Sequence, residues 1–339
     1  ITSSRSRCSS ADDSAGGVGR AVEQRGRRED AIVATKVGLE YPAGVVLSED
    51  GSSLYVARFT GNDVVEVDLV TGQVLDSVGI NKGPYGVALV PGRSELYVTL
   101  FRDDQLAVID LATWSVAERI TLGGNPLGLA VSGDGATVYV AVADADSVVM
   151  VDTATRTVLV TQPVGEPSIA DDEGAPLPAS SPTSLALDEA SGRLYVTRAA
   201  DNAVSVLDAE DLTPLGAIPV GWYPTALALA DDGGRLVVTN GKGVGTGPLL
   251  DYTAFSEIGK VQMTGSVSLV DLLDVDLAES TAQVESNVTR PTDVWQWDCD
   301  GSFPVPTVEG GETPIEHIVL IVRENKTYDS VLGDLGTGD

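Results

Sequence analysis

Near the C-terminal end of the sequence, Glu324 and Asn325 come just after Ile318–Val322, a run that is apolar on both faces, with Arg323 between. Such a run suits a buried strand of a parallel sheet rather than a half-exposed one. In α/β sheets ligands bind beyond the carboxyl ends of strands, so these two polar residues stand where a site would begin. A second group is basic and aromatic: Arg58, Phe59, Phe101, Arg102, Arg198 and Lys242, together with Tyr41, Tyr85, Trp222 and Tyr223. Gathered on one face of an acidic chain, these could receive an anionic small molecule or a partner domain. Scattered, they would be ordinary surface positions and packing between units. His317 is the only histidine, so neither a two-His metal site nor a Ser-His triad can be assembled unless His317 serves alone. Cys8 and Cys299 are the only cysteines, which leaves a disulfide framework and a cysteine zinc site unsupported. The glycine-rich stretch Asn240–Pro248 lacks the GxxxxGK[ST] spacing of a phosphate loop and reads as a surface loop.

The elements that must position these residues are set by a repeat. Tyrosine-centred segments recur at Leu54-Tyr55-Val56-Ala57, Leu96-Tyr97-Val98-Thr99, Val138-Tyr139-Val140-Ala141 and Leu194-Tyr195-Val196-Thr197, then as Leu236-Val237-Val238-Thr239, in steps of 42, 42, 56 and 42. Prolines that open each unit, Pro42, Pro84, Pro126, Pro182 and Pro224, keep the same steps. Aspartates closing a third segment, Asp68, Asp110, Asp152, Asp208 and Asp271, step by 42, 42, 56 and 63. Each unit predicts four short strands; in unit two these are Gly86–Leu89, Glu95–Leu100, Gln105–Asp110 and Ser115–Thr121. Between first and second strands lie Asp50-Gly51, Pro91-Gly92, Asp134-Gly135, Ser191-Gly192 and Asp232-Gly233, which suit tight turns. The Asp68…Thr71, Asp110…Thr113 and Asp152…Thr155 pairs read as turn caps bonding nearby backbone N–H groups.

A four-stranded meander of about 42 residues cannot bury both faces alone, whereas copies stacked around an axis can. The expected fold class is therefore all-β: a β-propeller with five recognisable units, forming a complete ring or part of a larger one. Asp30–Val37 reads as the outer strand of a further blade whose first three strands are absent. An open ring would expose strand edges and tend to associate. The extra residues of unit four, within Gly165–Ser181, follow a fourth strand, and those of unit five, within Gly241–Gly265, follow a second strand. Both project from one face, which also carries the basic and aromatic residues.

The net charge of −29 argues against nucleic acid and anionic membrane surfaces as partners. No apolar run is long enough for a transmembrane helix. The sequence opens at Ile1 without an initiator Met or an apolar signal segment, and reads as a processed protein, a cloned fragment or a partial reading frame. Cys8 followed by Ser9–Gly17 has the order of a lipid anchor and tether, but Ser4-Arg5-Ser6-Arg7 before it is no apolar lipobox.

The repeats resemble the YVTN-type β-propeller family over about residues 30–290. The segment Glu324-Asn325-Lys326-Thr327-Tyr328-Asp329, followed by Leu332-Gly333-Asp334, resembles the opening motif of bacterial phosphoesterases of the acid phosphatase and phospholipase C type. That resemblance implies a metal-dependent phosphate site in the complete protein, with Glu324 as a metal ligand and Asn325 as a ligand or phosphate contact. It implies a divalent metal ion as cofactor of the whole protein and none for the propeller. It also implies a periplasmic or secreted location. Similar propellers fused to phosphoesterases carry the Gly221–Thr225 and Asn240–Gly243 stretches, which points to a phosphoesterase domain packed on the insertion-bearing face. The expected organisation is an irregular or disordered segment at 1–29, a propeller at 30–287, a linker at 288–314 and the start of an α/β domain at 315–339. Two functions stand: the propeller portion of a phosphoesterase whose catalytic domain is mostly outside this chain, or a non-catalytic extracytoplasmic binding propeller.

Overall fold

The computed structural model describes residues 21–25, 32–36, 39–165, 180–243 and 265–288. Glu324, Asn325, the expected linker beyond Val288 and the expected α/β start lie outside them. The chain begins with a hairpin of β1 (Ala21–Arg25) and β2 (Ile32–Lys36). Four antiparallel meanders follow. Unit one comprises β3 (Pro42–Leu47), β4 (Ser53–Arg58), β5 (Asp63–Asp68) and β6 (Val74–Gly79). Unit two comprises β7 (Pro84–Leu89), β8 (Glu95–Leu100), β9 (Gln105–Asp110) and β10 (Ser115–Thr121), close to the strands predicted for it. Unit three comprises β11 (Pro126–Val131), β12 (Thr137–Val142), β13 (Ser147–Asp152) and β14 (Thr157–Pro163). Unit four comprises β15 (Pro182–Asp188), β16 (Arg193–Arg198), β17 (Ala203–Asp208) and β18 (Pro214–Pro219). Unit five has three strands, β19 (Pro224–Ala230), β20 (Arg235–Asn240) and β21 (Ser266–Asp271), and then a helix, α1 (Leu277–Val288).

The first strands of successive units lie side by side, in the order β3, β7, β11, β15, β19, so the sheets stack face to face around an axis. Burial explains the sequence pattern. In units two, three and four the second and third strands are covered on both faces, which is why Leu96, Tyr97, Val98, Thr99 and Leu100 form an unbroken run with each residue 0 % exposed. Fourth strands lie outside and are largely exposed, β6 burying only Val78. The core is a series of layers between neighbouring sheets. One joins Tyr55, Ala57 and Val64 to Val87, Leu96 and Ile109, and the next joins Tyr97, Leu106 and Val108 to Val138, Val140 and Val149. Gly86 is required by this stacking: a Cβ there would meet Leu129 Cδ2 of the next unit at 2.6 Å.

The turns carry their chemistry as expected. Gly51, Gly92, Gly135, Gly192 and Gly233 all have positive φ, between 65° and 89°. Asp68 Oδ1 accepts from the Thr71 amide at 2.6 Å, Asp110 Oδ1 from Thr113 at 3.0 Å and Asp152 Oδ1 from Thr155 at 2.6 Å.

Three features depart from the sequence reading. The stretch taken as irregular, 1–29, contains β1. The N-terminal half-blade therefore has two strands rather than one. β1 and β2 lie 42 residues ahead of β5 and β6 and pair antiparallel as those do, so they are the third and fourth strands of a blade. Finally, the repeat ends at β21, and α1 takes the chain back onto β18 of unit four. Val284 packs there on Ala203 and Ala217. Thr281 Oγ1 accepts the outer-edge amide of Ala217 at 2.9 Å, satisfying a donor that an edge strand leaves bare.

Candidate binding rim

Where second strands end and first strands begin, the same local geometry recurs. The chain after each second strand pairs back past the opening proline: Phe59 N–H donates to the Tyr41 carbonyl, Phe101 to Gly83, Ala143 to Asn125, Ala199 to Ser181 and Gly241 to Tyr223. A residue with left-handed backbone then turns the chain into the third strand: Asn62 (φ 57°), Asp104 (52°), Asp146 (41°) and Asn202 (57°). Its side chain clasps the next unit, Oδ1 accepting from Gly83 N–H (3.1 Å), Asn125 (3.2 Å), Ser181 (2.7 Å) and Tyr223 (2.9 Å). Its carbonyl also accepts from Ile80, Leu122, Val164 and Val220 at the end of its own fourth strand. Sequence reasoning missed these clasps. Their signal was present as Asn or Asp in steps of 42, 42 and 56.

The residue before each opening proline is also left-handed. Units two, three and four place Gly83, Asn125 and Ser181 there, whereas units one and five place Tyr41 (φ 45°) and Tyr223 (φ 58°). Gly and Asn adopt this backbone cheaply; a tyrosine costs on the order of 1–3 kcal/mol. Both rings are exposed, Tyr41 at 65 % and Tyr223 at 38 %, so burial of the ring does not offset that cost.

Around these tyrosines the rim residues form two clusters. In units one and two, Phe59 lies 5.7 Å from Tyr41, 6.4 Å from Tyr85 and 5.7 Å from Phe101, centroid to centroid. Arg102 lies over Phe59 with Cζ 4.7 Å from the ring centre. In unit five, Lys242 Nζ lies 4.5 Å over Tyr223, and Trp222 beside it is 46 % exposed. Trp222 and Lys242 are fixed by backbone pairing, since Trp222 N–H donates to Gly243 (2.7 Å) and Lys242 N–H to Trp222 (3.0 Å). This short ladder sits at the root of the unit-five insertion.

The charged residues of the rim divide by partner. Arg58 is held by Asp63 in a two-pronged pair, Nε to Oδ1 at 2.7 Å, which raises its already high pKa. Arg198 is 6 % exposed and pairs with Asp201 through Nε at 2.8 Å. Asp201 in turn accepts from Ser180 Oγ at 2.6 Å. Arg198 is therefore a buried structural charge and does not join either cluster. It also lines a cavity of about 330 Å³ between β18 and α1, together with Ser205, Leu215, Thr281 and Val284. Arg102 and Lys242, by contrast, make no ion pair among the described residues, and each has an aromatic face beneath it. Among the described residues no group of three or more His, Cys, Asp or Glu side chains comes together as a metal site. No described helix is long and apolar enough to cross a membrane.

No family model and no curated protein matches the chain. A solved structure of hydrazine synthase from Kuenenia stuttgartiensis is similar at 21 % identity and a TM-score of 0.54, over 70 % of this chain and 65 % of that one. The fold is a β-propeller. At this identity the likeness extends to the fold alone, and the propeller here spans less than two thirds of that neighbour's chain.

Proposed function

We propose that this chain is the propeller portion of a metal-dependent phosphoesterase whose catalytic domain docks on the insertion-bearing rim. The observation that carries the reading is the Glu324-Asn325-Lys326-Thr327-Tyr328-Asp329 motif placed one residue after an apolar strand-like run, where an α/β sheet begins its ligand site. Glu324 would hold a hard divalent cation, with Asn325 beside it on the cation or the phosphate. The metal would polarise the phosphoryl group. The rim supports the reading by holding two exposed tyrosines in costly conformations, one of them at the root of the unit-five insertion. As a test, the polypeptide continued past Asp339 is assayed with p-nitrophenyl phosphate and its diester under Zn²⁺, Mn²⁺, Ca²⁺ or Mg²⁺. Metal-dependent turnover is expected, with a loss on the order of 100-fold in Glu324→Ala, and chain 1–339 alone is expected to be inactive. Turnover by clean chain 1–339, or a longer protein indifferent to Glu324, overturns the reading.

The second reading, a non-catalytic extracytoplasmic binding propeller, draws on Arg102 and Lys242, which lie over aromatic rings without an ion pair among the described residues. It predicts that chain 1–339 itself binds a phosphate-bearing small molecule in calorimetry, and that Arg102→Ala with Lys242→Ala abolishes the binding.

A further inference from the structure

Among the described residues, nothing covers the face of unit five that points away from unit four. Its central rows are Ala228, Val237 and Leu269, and Ala226, Thr239 and Val267, placed side by side by the strand register. Val267 is 58 % exposed and Leu269 66 %. The residues equivalent to Val267 in the other units, Val64, Leu106, Val148 and Val204, are all 0 % exposed, because each is covered by the following unit. Polar detail matches as well. Thr99, the equivalent of Thr239, donates to the Leu127 carbonyl of the next unit at 2.7 Å, whereas among the described residues Thr239 bonds only within its own sheet. The opposite end of the array is half covered. On unit one, Val56, Val65 and Val67 are buried around Leu39, but Val45 and Leu47 of the inner strand are 60 % and 54 % exposed. The equivalent of Val45 in unit two, Val87, is 8 % exposed. The hairpin β1–β2 supplies the outer two strands of a blade on this side, and what is bare is the place of its inner two.

We propose that the outward face of unit five is a docking face for a sixth blade of the same repeat. That blade is supplied by the same polypeptide beyond the phosphoesterase-like segment, and the strands so supplied also complete the blade that β1–β2 begins. The propeller ring is then interrupted in sequence by the catalytic domain. The occupant follows from the four internal interfaces, each of which covers this same face with the next blade of the repeat. The position of those strands after the phosphoesterase-like segment rests on the reading above; the face itself does not. A second copy of the chain is the poorer occupant, because it would bring two molecules of net charge −29 together.

The test introduces Leu269→Cys, and separately Val45→Cys, in a background with Cys8→Ser and Cys299→Ser. Maleimide labelling is then compared between chain 1–339 and the full-length polypeptide. Both sites should label rapidly in chain 1–339 and on the order of 100-fold more slowly in the full-length protein. Leu273→Cys, at a residue 86 % exposed, should label equally in both. Hydrogen exchange on the same two proteins should show new protection at the β1 amides that do not face β2, where the second strand of the completed blade would pair. Equal labelling of Leu269→Cys in both proteins overturns the proposal. Protection of the thiol without protection of the amides gives the face to the catalytic domain and also overturns it. So does thiol protection in chain 1–339 that grows with protein concentration, which gives the face to a second copy. Phosphatase assays on the full-length protein separate the two readings: protection without activity sinks the phosphoesterase reading alone, and activity without protection sinks this one alone.

Discussion

At the residue scale, the clasp by Asn202 joins two costs that substitution can separate. Its Oδ1 accepts the Tyr223 amide and its backbone sits at φ 57°. Asn202→Gly keeps the backbone and loses the bond, about 1 kcal/mol. Asn202→Ala loses the bond and adds left-handed strain, for about 2 kcal/mol or more in all. Urea titration should rank the three proteins in that order; equal stability of the Gly and Ala variants would mean that the backbone conformation does not matter there. Asp50 offers a titration instead. The Ser52 amide, then the Ser52 and Ser48 hydroxyls, hold its carboxyl at about 2, below the ordinary 3.8. A depressed acid contributes stability that is present above the ordinary value and is lost as pH falls through the lowered one. Carboxyl NMR should place Asp50 near 2 in the native chain. Ser52→Ala should move it toward its ordinary value and leave Asp152, held by Thr155, unmoved.

At the element scale, the strands were legible because each unit repeats its landmarks, and a triple coincidence of Pro, Tyr and Asp spacing fixes where strands start and end. The helix was missed. Asp271 closes unit five like the other units, and the local helix signal after it was passed over: Asp276, whose Oδ1 caps the Ala278 and Glu279 amides at 3.0 and 3.1 Å, and the Ala- and Glu-containing run that follows. What seats the helix is a contact between distant residues. Gly216 of β18 has no side chain, and a Cβ there would meet Thr281 Oγ1 at 2.6 Å and Leu277 Cγ at 2.7 Å. Gly216→Ala should therefore displace α1 and cost on the order of 2 kcal/mol through overpacking. The helical signal in circular dichroism should weaken while the sheet signal stays. A variant as stable as the parent, with its helix intact, would show that β18 and α1 can separate without loss. The rim clusters were half legible for the same reason: sequence placed the rings and cations on one face, but only distances show Arg58 and Arg198 committed to Asp63 and Asp201.

At the scale of the whole molecule, a stack of units is held by its internal interfaces, so its stability is close to a sum over neighbours. Units two, three and four have both faces covered. Unit five has one, with Val267 and Leu269 on the other more than half exposed. Unit one stands between, because Leu39 and its neighbours cover Val56, Val65 and Val67 but leave Val45 and Leu47 bare. Burial of apolar area is the main favourable term, and it is smallest at the end with a bare face. Opening should thus begin at β19–β21. Native-state hydrogen exchange is expected to give the lowest protection in unit five, an intermediate level in unit one and the highest in β8, β9, β12 and β13, whose residues are covered on both sides. The seating of α1 on β18 sharpens the expectation, since that helix ties the chain end to unit four and leaves the β19–β21 sheet to open without it. Uniform protection across all five units would mean that the array unfolds as a single cooperative body despite its bare face, with the clasps of Asn62, Asp104, Asp146 and Asn202 coupling the blades more strongly than their buried area does.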